Sequence, residues 1–210
     1  IQLDNISVCK KNNDQTEQND TILSVERAIC NVDFHSILDG RIGIDILQFD
    51  NAGVNTAEYI PDSRIKGRVG YALLTCEAID FKNDSILLDK IQLSNASFEV
   101  CLSDTAKQDT TTSETPWVVT FNDINVSKTG VAVVLPGDTL TVRAGIGNLN
   151  VSDGLLDLKK GIYSIDVFTV NNSDVKYDNL AYTPTNQLDY NHLLIKELNV
   201  GIKSIYYSED

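Results

Sequence analysis

Apolar and polar residues alternate with a period of two through most of this chain, the signature of strands with one buried face. The clearest stretch is Val131 to Leu149, an apolar run, then a turn at Pro136, Gly137 and Asp138, then a strand in which Leu140, Val142, Ala144 and Ile146 alternate with Thr139, Thr141, Arg143 and Gly145. Upstream, Ala28, Cys30, Val32 and Phe34 share one side of a strand over 27–34. Asp39-Gly40 then reads as a type I′ hairpin turn into a returning strand, Arg41 to Phe49, which alternates Ile42, Ile44 and Ile46 with Gly43 and Asp45. Asp50 to Gly53 reads as the next turn. A long strand from Val69 to Phe81 follows, then a turn at Lys82 to Ser85 and a strand over Ile86 to Leu102 with a break or bulge near Asn95. Trp117 to Phe121, Ile124 to Val126, Gly161 to Val170 and Leu193 to Tyr207 supply the remaining β segments. No convincing long helix interrupts them.

About nine to eleven short strands with turn chemistry between them predict an all-β protein, an antiparallel sandwich of immunoglobulin-like or jelly-roll type. Residues 1–20 read as an N-terminal strand on a polar tether, the tether being Lys10 to Asp20. Residues 21–210 read as a single sandwich domain with a seam at the Thr-rich stretch 103–115. Two echoes mark the pattern. Ile1 to Ser7 (IQLDNIS) matches Ile91 to Ser97 (IQLSNAS) at five of seven positions, and Ile124 to Ser127 (INVS) resembles Leu149 to Ser152 (LNVS). The N-terminal strand thus has the pattern of an internal one, carried by Ile1, Leu3, Ile6 and Val8.

Composition narrows where such a chain works. With 17 Lys and Arg against 30 Asp and Glu, a formal charge of -13 disfavours nucleic acid or an anionic membrane as partner. No apolar run reaches the roughly 18 residues of a spanning helix, so the mature chain is not expected to insert in a membrane. The chain starts at Ile1 and contains no Met, the expectation being a removed signal peptide. Cys9, Cys30, Cys76 and Cys101 lack a CxxC pair, which suits two disulfides better than zinc, with Cys9–Cys30 and Cys76–Cys101 the nearest partners among three connectivities. Asn5, Asn19, Asn83, Asn95, Asn125, Asn150 and Asn171 each head a glycosylation triplet. Together these place the chain outside the cell, secreted or on the cell surface.

Chemistry is sparse. His35 and His192 are the only histidines, neither in a motif, and there is no nucleophile elbow, zinc-protease, phosphate-loop or EF-hand pattern. The chain is therefore read as a non-enzyme. Calcium is the one cofactor the residues leave open, through the oxygen donors of Asp50-Asn51 and Asn171-Asn172-Ser173-Asp174; no metal ligand set is assigned. Tyr177, Tyr182, Tyr190, Tyr206 and Tyr207 gather toward the C-terminus, suited to a sugar-binding face or a subunit contact.

The Pro136-Gly137-Asp138 corner, the strand pattern and the N-terminal layout resemble those of extracellular immunoglobulin-like sandwiches, including camelysin-like and other donor-strand surface-filament subunits. The resemblance implies a structural subunit of an extracellular filament, tube or surface layer, a homopolymer in which the strand of Ile1, Leu3, Ile6 and Val8 completes the sheet of a neighbour. The competing readings are a glycan- or receptor-binding adhesin domain and a viral jelly-roll coat or spike protein.

Overall fold

A computed structural model describes residues 1–10, 20–33, 37–56, 63–102, 117–137 and 139–208. The chain is all-β. Nine strands, β1 (Gln2–Lys10), β2 (Asp20–Asp33), β3 (Arg41–Asn55), β4 (Ser63–Asp80), β5 (Ser85–Leu102), β6 (Val118–Leu135), β7 (Leu140–Asp157), β8 (Ile162–Asn179) and β9 (His192–Ser208), form one sheet in sequence order. Every neighbouring pair is antiparallel except β5 and β6, which run parallel from Ser85↔Val118 to Cys101↔Val134. Packing runs between neighbouring strands. The expectation of an all-β chain is met, its nine strands joined in one hydrogen-bonded order.

These strands are long, β4 to β8 having 18 residues each, against the usual five or six. The sequence lengthens them by a local device. In β5 the apolar positions fall at Ile86, Leu88, Ile91, Leu93, Ala96, Phe98 and Val100, so the spacing is two except for steps of three across Asp89 and across Asn95. Asn95 has φ 53°, the left-handed conformation that Asn tolerates best among residues with a side chain. One residue taken out of the pleat turns a step of three back into the same alternation and bends the strand. The register with β4 and β6 runs one for one through Asn95, so the irregularity expected there is a left-handed residue and not a bulge.

The device recurs at equivalent places in the sheet. Asn5 (φ 52°), Asn51 (50°), Asn95, Lys128 (46°) and Asn172 (51°) take the left-handed conformation in β1, β3, β5, β6 and β8, and the register sets Glu26, Gly70 and Gly147 opposite them in the strands running the other way. A second line follows six residues away, through Asp89, Asn122, Asp153 (φ 53°) and Ser204 (59°). Two creases therefore cross the sheet about 20 Å apart along the strands. Several of the best-buried described residues lie beside them: Val25, Ala96, Thr129 and Ser173 at the first, Cys76 and Phe121 at the second. At the second crease the Phe121 ring lies over Gly154, where a Cβ would run into it. That pairing fixes glycine there by close approach.

The creases explain where sequence reading fails. Asp50 to Gly53 carries turn chemistry, yet β3 runs through it, because the left-handed Asn51 bends the strand without reversing it. The strands over 117–121, 124–126 and 131–135 are likewise one strand, β6, which runs on through Asn122 and through the left-handed Lys128. Asp39-Gly40 is not a type I′ turn: among its two residues Gly40 alone has positive φ (79°), and Ile37–Asp39 is a turn of 3-10 helix. Pro136 and Gly137 do turn the chain from β6 to β7, with the Thr139 amide donating to the Pro136 carbonyl at 3.1 Å; Asp138 lies outside the described residues. Two other hairpins are headed by buried aspartates. Asp80 accepts from the amides of Lys82 and Asn83, and Asp157 from those of Lys159 and Lys160.

The seam expected at 103–115 lies outside the described residues, but the strands on either side of it are the parallel pair β5 and β6, where the meander breaks. The N-terminal strand belongs to the same sheet as the rest, and most of the expected tether, 11–19, lies outside the described residues.

Candidate functional site

A sheet alone leaves two kinds of surface open, its faces and its edges. No large side chain is buried below 2 % exposure, and six apolar residues, Val25, Ala28, Cys76, Ala96, Phe121 and Val151, reach the buried class. Such a surface belongs to a molecule with much of its apolar side uncovered.

Among the strands, apolar exposure is greatest on the two outer ones. Ile1, just before β1, is 87% and Leu3 55% exposed, with Val8 beside them; on β9, Leu194, Ile195, Ile202, Tyr206 and Tyr207 are all exposed. Both strands have one hydrogen-bonding edge with no neighbour among the described residues, neither contains proline, and β9 is 17 residues long. Natural sheets that stay single shorten, kink or cover such edges. Here Lys196 and Lys203 are the charges that break the apolar run of β9 on its basic side, with Glu197 between them.

β1 is not a loose donor in the single chain. It pairs with β2 from Gln2↔Ile29 to Lys10↔Asp20, and Ile1 and Cys30 exchange hydrogen bonds at 2.7 and 2.8 Å. Of its four apolar side chains Ile6 is partly buried, and Ile1, Leu3 and Val8 remain exposed while paired.

The expected disulfides are replaced by four free thiols. Cys9 lies opposite Thr21 and Cys30 opposite Ile1, nine residues further along β2, about 30 Å on a strand. Cys76 and Cys101 are as badly placed, for Cys101 pairs with Arg64, twelve residues from Cys76 on β4. A disulfide needs Cα atoms within about 7 Å, so long straight ladders separate cysteines that short hairpins would have brought together. Burial pushes the Cys76 thiol above its ordinary pKa.

The sequon asparagines serve the backbone and the polar face. Asn5 and Asn95 are crease residues, and Asn171 precedes one. Between the creases, Asn125 donates to Asp123, and Asn150 donates to Asp123 at 3.1 Å and to Asn125 at 3.0 Å. Asn83 donates to Asp80 in its hairpin at 2.9 Å. Asn19 lies outside the described residues. Asp50, Asn51 and the run from Asn171 to Asp174 likewise answer to the crease, and among the described residues no three His, Cys, Asp or Glu side chains come together as a metal site.

Two groups of titratable residues stand out. The Arg41 guanidinium, 2.8 Å from the buried Asp80 carboxylate, together with the Asn83 side chain, holds Asp80 well below the usual carboxylate range. At the end of β8 and β9, His192 Nδ1 lies 3.0 Å from Asp189, whose pKa is lowered first by the Thr185 amide. His192 borders an open hollow of about 610 Å³ with Arg143, Lys176, Asp178 and Tyr182. His35 lies outside the described residues. Tyr182, Tyr190, Tyr206 and Tyr207 are exposed, and Tyr163 packs against Tyr207 with ring centres 5.8 Å apart.

Sequence reasoning found the outer strand at the N-terminus and missed its counterpart, β9, as a partner edge. The signal was present: β9 repeats the two-three-two spacing of Ile1, Leu3, Ile6 and Val8 at Leu193, Ile195, Leu198 and Val200. No helix among the described residues is long and apolar enough to cross a membrane. No protein-family model matches the chain, and no curated protein matches it.

Proposed function

We propose that this protein is a structural subunit of an extracellular homopolymer, a filament, tube or surface layer, whose copies join through the N-terminal strand. The observation that carries this reading is the pair of outer strands, each with an open hydrogen-bonding edge among the described residues and with exposed apolar side chains. Burying each fully exposed aliphatic side chain contributes about 1.5 to 3 kcal/mol. Association of copies is the simplest way for Ile1, Leu3, Ile202 and Leu194 to gain it. The extracellular setting rests on the acidic surface and the sequons, since the free thiols lend it no support. In a donor-strand form of the polymer, β1 would leave its own β2 and fill the same place in a neighbour, an exchange of identical elements.

Deletion of Ile1 to Val8 tests the reading. Analytical ultracentrifugation and negative-stain microscopy are expected to find polymers of the full chain and none of the truncated one. A full chain that stays monomeric at all concentrations refutes it.

A second reading, a glycan-binding adhesin, is favoured by one observation: Tyr182 meets Arg143, Lys176, Asp178 and His192 around the hollow at the β8–β9 end. Aromatic faces beside charged hydrogen-bonding groups suit a sugar. Glycan-array binding by a monomeric chain, lost in Tyr182→Ala, would favour it over the polymer.

A further inference from the structure

We infer that copies of this chain join edge to edge, the free edge of β1 in one copy adding to the free edge of β9 in the next, in the register that β8 already uses on the other side of β9. The inference rests on the polymer reading above and gives it a contact.

Strand direction is the first support. In an antiparallel meander of nine strands the first and last would run the same way. The single parallel step between β5 and β6 reverses this, so β1 and β9 run in opposite directions. A second copy in the same orientation therefore brings its β1 to β9 antiparallel, as β8 is, with the same face of the sheet kept on the same side.

The spacing of side chains is the second. β8 lays Phe168, Val170, Ser173 and Val175 against Ile202, Val200, Leu198 and Ile195 of β9. Ile1, Leu3, Ile6 and Val8 stand at the same intervals in β1, and its left-handed Asn5 holds the place of the left-handed Asn172. Seated on the opposite edge of β9 in that register, β1 sets Ile1 against Ile202, Leu3 against Val200, Ile6 against Leu198 and Val8 against Ile195. All four pairs are apolar, and the crease continues from one copy into the next. Lys203 falls beyond the matched positions and Lys196 between two of them. A shift by one residue would put the apolar set on the wrong face.

The contact is head-to-tail, so a growing polymer keeps one free edge of each kind and growth continues unless the array closes into a ring. It differs from strand donation in that β1 stays on β2 and is paired on both sides.

Backbone geometry supplies the test. Ile1 exchanges both hydrogen bonds with Cys30, so in an antiparallel ladder the backbone groups of Gln2 and Asp4 point away from β2, toward the free edge. Gln2→Pro removes an edge donor that the fold does not use, and proline is tolerated at that kind of position. By sedimentation velocity, Gln2→Pro is expected to be monomeric with an unchanged melting temperature, while Gln2→Ala polymerises. Because Gln2→Pro keeps its β9 edge, it is also expected to cap wild-type polymers and shorten them in proportion to the fraction added. Hydrogen exchange on the wild type gives an independent reading: the Gln2 and Asp4 amides should gain protection in polymer over dilute monomer. Wild-type polymers with full-length Gln2→Pro polymers beside them, or with Gln2 and Asp4 still exchanging freely, overturn the edge contact and leave the polymer reading standing. A wild type that never polymerises overturns both.

Discussion

Single residues in this protein do their work through backbone conformation more than through side-chain chemistry. Several of the Asp and Asn residues that look like turn formation or calcium binding take left-handed crease positions or head hairpins. Asp80 is the sharpest case, because its carboxylate accepts two amides, the Asn83 side chain and Arg41 at the start of β3. A carboxyl whose folded pKa is depressed adds stability above the unfolded pKa of about 4 and loses it as acid protonates the folded form. Stability, read from urea midpoints, is therefore expected to fall as pH drops below about 4. Asp80→Asn should be less stable than wild type at pH 7 and show a shallower loss with acid. The same residue scale explains the cysteines: their positions in sequence suggested pairs, and only the register reveals that the partners lie far apart along the strands.

At the scale of elements, the two creases decide strand length. They let each strand of β4 to β8 run for 18 residues while the apolar positions keep to one alternation through the steps of three. Much of this was legible. The β character, the Pro136-Gly137 hairpin and the irregularity at Asn95 all follow from alternation and turn chemistry. The continuity of β3 through Asp50 to Gly53 was not, because an Asn in the left-handed region has the same local sequence whether the chain reverses or merely bends. The crease makes its own prediction. Asn95→Val places a β-branched side chain at φ 53° and should lower stability by about 1 to 2 kcal/mol, whereas Asn95→Gly should hold it. Denaturant unfolding of the two variants side by side checks this.

For the whole molecule, the one parallel ladder carries a consequence in time. The hairpins β6–β7 and β7–β8 bring together residues that begin only five apart, Leu135↔Leu140 and Asp157↔Ile162, whereas β5 and β6 join residues 33 positions apart along their whole length. Closing that larger loop comes before any of its contacts can reward it, and parallel pairing is intrinsically slow. The meanders β1–β5 and β6–β9 should each zip quickly and wait for each other. Refolding followed by pulsed hydrogen exchange is expected to give two phases, with amides of β6 and β7 across their hairpin protected in the first and those between β5 and β6 in the second; one phase for both would mean that the halves form together. Until the second phase is over, each half presents a second open edge to its surroundings, and the halves of two different molecules can meet there as readily as the halves of one.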